Sequence, residues 1–158
     1  MPDPQAPSGS IRLGRVAGVP VYLDRTWLIL GAFIAWTGWQ AGRDLGTTTG
    51  IAYAGWLVLG ILTAVLGHEI AHAVAGRMLG FRVHRIVATL WGGHTSYDGT
   101  GSTPGRAAAI AVSGPLANLG LAGIGWIGLQ VLTGTVAQFV LWWFVASNIM
   151  FAALNILH

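Results

Sequence analysis

Within the apolar run LTAVLGHEIAHAVAGRMLG (Leu62–Gly80) stand two histidines four residues apart, with a glutamate beside the first. On a helix, His68 and His72 lie one turn above each other, their Cβ atoms ~5–6 Å apart. Imidazoles at that spacing can reach one tetrahedral zinc ion, each through a nitrogen at ~2.0–2.1 Å. Glu69 is then placed to take a proton from water that the metal has acidified towards a pKa of ~7. The pattern His-Glu-x-x-His on a helix is that of zinc-dependent peptide hydrolysis.

Such a short pattern also arises by chance, and its surroundings decide between the two readings. An ionisable side chain near the centre of a bilayer costs at least ~2.5–3.5 kcal/mol, and this segment carries three of them. Groups that expensive face a polar cavity and serve a function, so the metal-site reading is preferred.

The elements that must position these groups follow from composition and pattern. Of the 158 residues 54% are hydrophobic and 8% are charged, against roughly a quarter charged in soluble domains. The balance is that of a membrane protein. Without cysteine there is neither a disulfide framework nor a thiolate zinc site. Every basic residue is an arginine, and they are scattered along the chain. That argues against a nucleic-acid partner. MPDPQAPSGS, residues 1–10, reads as a disordered leader, and residues 11–158 as one membrane-embedded core.

Two short strands are expected at Ile11–Val16 and Val19–Leu23. A Trp-rich span follows from Thr26 to about Ala41, then a polar loop, Gly42–Gly50. The second span, Ile51 to about Leu79, carries the histidines. A strand near Arg82–Leu90, a break at Gly92–Gly93 and a second strand near His94–Tyr97 come next. Further spans are expected from about Arg106 to Leu132 and from Val136 to His158. The predicted fold is thus an all-α membrane protein with four transmembrane helices. Small β-hairpins precede helix 1 and separate helices 2 and 3. Close helix contacts are expected at Gly31 and Ala35, at Gly67, Ala71 and Ala75, and at Ala117, Gly120 and Gly123. In this topology Arg43 alone lies on the opposite side from the other arginines, which puts the N-terminus and the 80–105 loop in the cytoplasm. His68, about 11 residues before the end of its span, then lies roughly 17 Å of helix from that side.

Four segments together, GHEIAHAVAGRMLG (Gly67–Gly80), GGH (Gly92–His94), SGPLANL (Ser113–Leu119) and SNIMFAALNIL (Ser147–Leu157), resemble the site-2 protease family of intramembrane zinc metalloproteases. The likeness runs from Gly18 to Leu157. It implies Zn2+ held by His68 and His72, with Glu69 as catalytic acid and base. Asn118 matches the family's asparagine near the reacting centre, where it would hold substrate backbone or an oxyanion. Gly92 and Gly93 match a glycine turn in a membrane-associated hairpin, whose edge would bind an unwound substrate as an added strand. The implied substrates are single-span membrane proteins, cut in regulated intramembrane proteolysis at a bacterial cell membrane.

The family's third ligand is an aspartate in a Leu-Asp-Gly motif beyond an Asn-x-x-Pro turn. Asn155–Leu157 resembles the start of that turn, His158 stands at the proline position, and the aspartate is expected to lie beyond the present chain, so that this chain by itself is expected to be inactive. With two histidines alone, zinc is expected to bind weakly or to recruit water, His94 or His158. Gly80 and Gly105 are too close in sequence for the PDZ domain of many members. The resemblance is therefore to the subgroup that carries C-terminal CBS domains. His94 is preferentially a polar loop residue, and His84 alternates to the wet face of its strand. The competing reading is a zinc-binding membrane transporter or sensor without peptidase activity. A transporter would show inverted repeats, and the two halves share no motif.

Overall fold

The C-terminal end of the histidine-bearing helix shows how local sequence shapes the fold. Beyond Met78 the chain turns through Gly80, whose φ of +86° suits a residue without Cβ. The Phe81 amide donates to the Gly76 carbonyl at 2.9 Å and the Gly80 amide to the Arg77 carbonyl at 3.0 Å. This Schellman-type closure buries Phe81 and launches the next strand.

The structure, a computed structural model, describes residues 7–89, 92–98 and 101–156. Strands β1 (Ser10–Val16) and β2 (Val19–Asp24) lead into helix α1 (Thr26–Gly42). A 3-10 turn, Arg43–Leu45, joins α1 to helix α2 (Thr47–Met78). Strands β3 (Val83–Thr89) and β4 (Gly92–Tyr97) precede helices α3 (Pro104–Val131) and α4 (Thr135–Ile156). Thr103 caps α3 ahead of Pro104, a pairing suited to a helix start. At the start of α1, Asp24 Oδ1 accepts from the Thr26 hydroxyl at 2.6 Å and from its amide at 2.8 Å. Those bonds, the hydroxyl's foremost, hold the Asp24 carboxyl below its ordinary value. Their contribution is present above the usual carboxylate range and fades as pH falls through the lowered value.

Four expectations need correction. The two hairpins are not separate. Strands β2 and β3 pair in parallel, Val21 with Ile86, Tyr22 with Val87 and Leu23 with Ala88, giving one four-stranded sheet in the order β1-β2-β3-β4. The fold is therefore mostly helical with a mixed sheet, rather than all-α with isolated hairpins. Helix α2 also begins at Thr47, because the polar loop winds into a 3-10 turn and Gly46, at φ +121°, starts the helix directly. Gly92 and Gly93 do not break the strand but belong to β4, paired with Thr89 and Ala88. Residues 90–91 lie outside the described residues, as do 1–6 of the expected leader, Thr100 and His158.

The fourth correction concerns the packed face of α3. A Cβ added at Gly120 or Gly123 would meet nothing within 4 Å. The face turned inward instead carries buried Gly114, Asn118, Ala122 and Gly125. A side chain at Gly125 would strike Phe144 and Val145 of α4 at 2.9 Å. Periodicity alone gave the spacing of small residues but not which row faces the bundle.

Two apolar clusters bind the sheet to α2. Val19, Val21 and Ile86 pack with Ala73, flanked by Leu66 and Ile70. Leu23, Trp27 and Ala88 pack with Val65, and Phe151 of α4 closes that cluster. Strands β2 and β3 thus lie along the same stretch of α2 as the histidines. At the other end of α2, α1 comes very close. A Cβ at Gly38 would stand 2.8 Å from Ala54 Cα and 2.9 Å from Tyr53 O. Backbone cannot give way there, so Gly38→Ala is expected to destabilise by ~1–3 kcal/mol. Gly55→Ala, in open space on α2, is expected to be neutral or slightly stabilising. Thermal unfolding in detergent compares the two.

Helices α2, α3 and α4 are each long and apolar enough to cross a membrane. The chain is an integral membrane protein. At 17 residues, α1 would extend ~26 Å.

Candidate metal centre

His68, Glu69 and His72 occupy adjacent turns of α2, where the helix passes between the sheet and α3. The Nε2 atoms of His68 and His72 face each other at 3.0 Å, with the rings nearly perpendicular at 87°. Each Nδ1 is held from behind. That of His72 donates to the Ile110 carbonyl at 2.7 Å, with the Ser113 hydroxyl at 3.2 Å. That of His68 donates to Asn118 Oδ1 at 2.6 Å. With a proton on each Nδ1, both Nε2 atoms carry lone pairs aimed at one point. Two lone pairs at that distance repel unless a cation lies between them.

Such a donor set fits a divalent ion that takes neutral imidazole. The observed separation is a few tenths of an ångström below the ~3.3 Å expected for two nitrogens at zinc–ligand distance about a tetrahedral ion. Among the described residues no group of three His, Cys, Asp or Glu side chains forms a metal set, so the two histidines are a pair.

What lets α3 lie over this pair is Gly114. A Cβ there would stand 2.5 Å from His72 Nε2 and 2.6 Å from His68 Nε2. Glu69 is buried on the sheet side, where the Thr95 hydroxyl of β4 lies 2.9 Å from its Oε2 and 3.0 Å from its backbone carbonyl. The other oxygen, Oε1, occupies the space that a Gly93 side chain would need: a Cβ would come within 2.9 Å of it and 2.8 Å of Cδ. Gly93→Ala is therefore expected to push the carboxylate aside, leaving the histidines and their metal affinity intact while lowering turnover by at least ~10-fold. The expected size follows from the sensitivity of proton transfer to placement. Metal titration beside a cleavage assay would separate the two effects.

Two cavities meet at Glu69. One, of about 280 Å³, is lined by His68, Glu69, Gly92, Gly93 and Asn118 together with Phe151 and Asn155 of α4. The other, of about 320 Å³, also reaches His72, His94, Thr95 and Tyr97. His94 is an exposed residue of β4 rather than of a loop, and His84 is exposed on β3.

Asn118 lines the first cavity, but its carboxamide is fully engaged. Besides accepting from His68 through Oδ1, it donates through Nδ2 to the Ala64 carbonyl at 3.1 Å and to Asn148 Oδ1 at 2.9 Å. In this state Asn118 faces His68 through Oδ1 and commits both amide hydrogens within the protein.

Sequence reasoning missed Thr95, Ser113 and Asn148 as individual participants. The signal for Thr95 was its i+2 relation to Gly93, which places both on one face of a strand. For Asn148 it was a polar pair, Ser147–Asn148, inside an apolar span.

The fold and this site define an integral membrane protein with an imidazole pair and a carboxylate buried on one helix. No family model matches the chain. It is 32% identical, over 94% of its length, to the Mycobacterium tuberculosis protein named "Putative zinc metalloprotease Rip3". It is 28% identical, over 95% of its length, to "Putative zinc metalloprotease sll0528" of Synechocystis. The chain spans 40% and 41% of the length of these two relatives. In fold it is similar to the solved "Site-2 Protease from Methanocaldococcus jannaschii", with a TM-score of 0.67 over 92% of this chain and 63% of that one, at 19% identity. The chain is thus similar in sequence to proteins named as zinc metalloproteases and shares the fold of a site-2 protease.

Proposed function

We propose that this chain forms the membrane core of an intramembrane zinc endopeptidase whose substrates are single-span membrane proteins. The observation that carries the reading is the convergence of the His68 and His72 Nε2 atoms at 3.0 Å beside the buried Glu69. His68 and His72 would hold the ion. When bound, zinc supplies Lewis-acid polarisation of the scissile carbonyl and of water. Thr95 fixes Glu69 through Oε2, leaving Oε1 to accept a proton as water oxygen attacks the carbonyl carbon. As the C–N bond breaks, the same carboxyl passes that proton to the departing amine nitrogen. Asn118, Ile110 and Ser113 keep the imidazoles facing inward throughout.

Substrate peptide bonds must leave their helix before attack. Strand β4 lies at one edge of the sheet, and its Gly92, Gly93, Thr95 and Tyr97 line the cavities at Glu69. An extended substrate segment adds to that edge through backbone hydrogen bonds.

Helix α1 is taken as a fourth span, its interfacial Trp residues and slight bilayer thinning offsetting its length. The sheet and the arginine-rich side face the cytoplasm of a bacterial cell, and CBS domains beyond the present residues are the proposed regulatory partners. Single cysteines test the topology in this cysteine-free chain. Exposed Ser102, just before α3, when replaced by Cys is expected to react with an impermeant reagent from the cytoplasmic side only. Thr48→Cys, at the start of α2, is expected to react from the opposite side only. Labelling of Ser102→Cys from outside would overturn the orientation. For the activity, the complete protein carrying the expected third ligand, co-expressed in membranes with a single-span reporter, is expected to cut it, and chelation of zinc to stop the cut. Zinc binding without cleavage of any such reporter would favour the transporter or sensor reading instead.

A further inference from the structure

Helix α4 contributes no group to the metal pair itself, yet a hydrogen-bond chain runs from its backbone to His68. Asn148, fully buried, donates through Nδ2 to the Phe144 carbonyl one turn back at 2.8 Å. A backbone carbonyl only accepts, so this bond fixes which end of the Asn148 carboxamide is which. Its Oδ1 must then face Asn118 and take a hydrogen from Nδ2 there. The other Nδ2 hydrogen of Asn118 goes to the Ala64 carbonyl, a second acceptor that cannot reverse its role. With two acceptors on its nitrogen side, Asn118 has only Oδ1 left for His68, at 2.6 Å from Nδ1. In the neutral imidazole Nδ1 must therefore carry the proton, and Nε2 the lone pair. In a low-dielectric interior such a chain is stiff, since reversing one member leaves buried donors and acceptors unmatched.

We infer that Asn148 is a positioning residue that sets the tautomer of His68 through Asn118, and so couples the packing of α4 to metal affinity. The coupling to metal rests on the proposed reading of His68 as a ligand; the tautomer does not. His72 is a built-in control. Its Nδ1 proton is held by the Ile110 carbonyl and Ser113, both on α3 and outside the chain of bonds from α4.

Asn148→Leu removes the acceptor at similar volume. Asn118 is then held in its orientation by the Ala64 carbonyl alone, and a population with the amide turned over and the His68 proton on Nε2 is expected. The readout is ¹⁵N NMR of the imidazoles in the metal-free protein, reconstituted in detergent or nanodiscs, above the histidine titration range. The expected result is that His68 shifts while His72 keeps its Nδ1 proton, and that zinc affinity falls by ~10-fold, within the range seen for loss of an outer hydrogen-bond partner. Ser147→Ala, whose hydroxyl only bonds back to Phe144 O within α4, is expected to change neither. If Asn148→Leu does not fold, Asn148→Ser, too short to reach Asn118, carries the same expectation. An unchanged His68 tautomer in a folded variant overturns the proposal, as does a change in which His72 also loses its Nδ1 proton. A selective His68 shift in a protein that binds no zinc upholds the tautomer role and overturns the ligand reading.

Discussion

A Gly114→Ala protein is expected to lose zinc while keeping its membrane fold. The added methyl carbon would lie 2.5–2.6 Å from both Nε2 atoms, where the ion is proposed to bind. Relief requires either that α3 move away from α2 or that the imidazoles rotate off their Nδ1 partners. Movement of α3 breaks the Asn118 and Ile110 bonds; rotation removes convergence. Either way the loss is expected to reach ~100-fold or more in affinity, the upper part of the range for disturbing a ligand's support. Zinc titration against a competing chelator measures it, and thermal unfolding checks the fold. Wild-type affinity in Gly114→Ala would mean that the ion does not sit between these nitrogens.

Glu69→Gln is expected to do the reverse: retain zinc and stop cleavage. The amide keeps the shape of the carboxylate and a contact with Thr95, but it cannot accept a proton from water. General-base catalysis contributes ~10²–10⁴-fold, so turnover of a single-span reporter by the complete protein is expected to fall by about that factor. His68→Ala is expected to lose both metal and turnover. Retention of most activity by Glu69→Gln would falsify the assignment of the base.

The parts of this site that were legible in the sequence are those fixed by one helix. His68 and His72 share a face because they are four residues apart, and no tertiary information is needed to say so. Asn118 was legible as a residue but its hydrogen-bond partners were not, since they lie on α2 and α4, at Ala64 and Asn148. Thr95 stayed hidden because a strand's register against a helix is set by packing, not by alternation alone. The parallel pairing of β2 with β3 was hidden for a related reason. Each hairpin shows its own pattern, while the seam between them joins strands separated by two helices. Span positions were read closely because hydropathy over a long segment is a strong signal. Helix α2 began earlier than expected because Gly and Thr residues that suit a loop also suit the capped start of a helix.

That seam has a consequence for biogenesis. Val21 and its neighbours pair with Ile86 and its neighbours, which emerge from the ribosome only after α1 and α2 have been made. Until then β2, whose residues Val19–Leu23 are buried in the finished sheet, has an unpaired edge and no apolar cover on the far side. The nascent chain thus holds an adhesive strand ahead of its first membrane helix, where pairing with another chain competes with the correct partner. Arg77, near the end of α2, donates to the Ala17 carbonyl in the β1–β2 turn. It offers this strand an early tether, in place before β3 arrives.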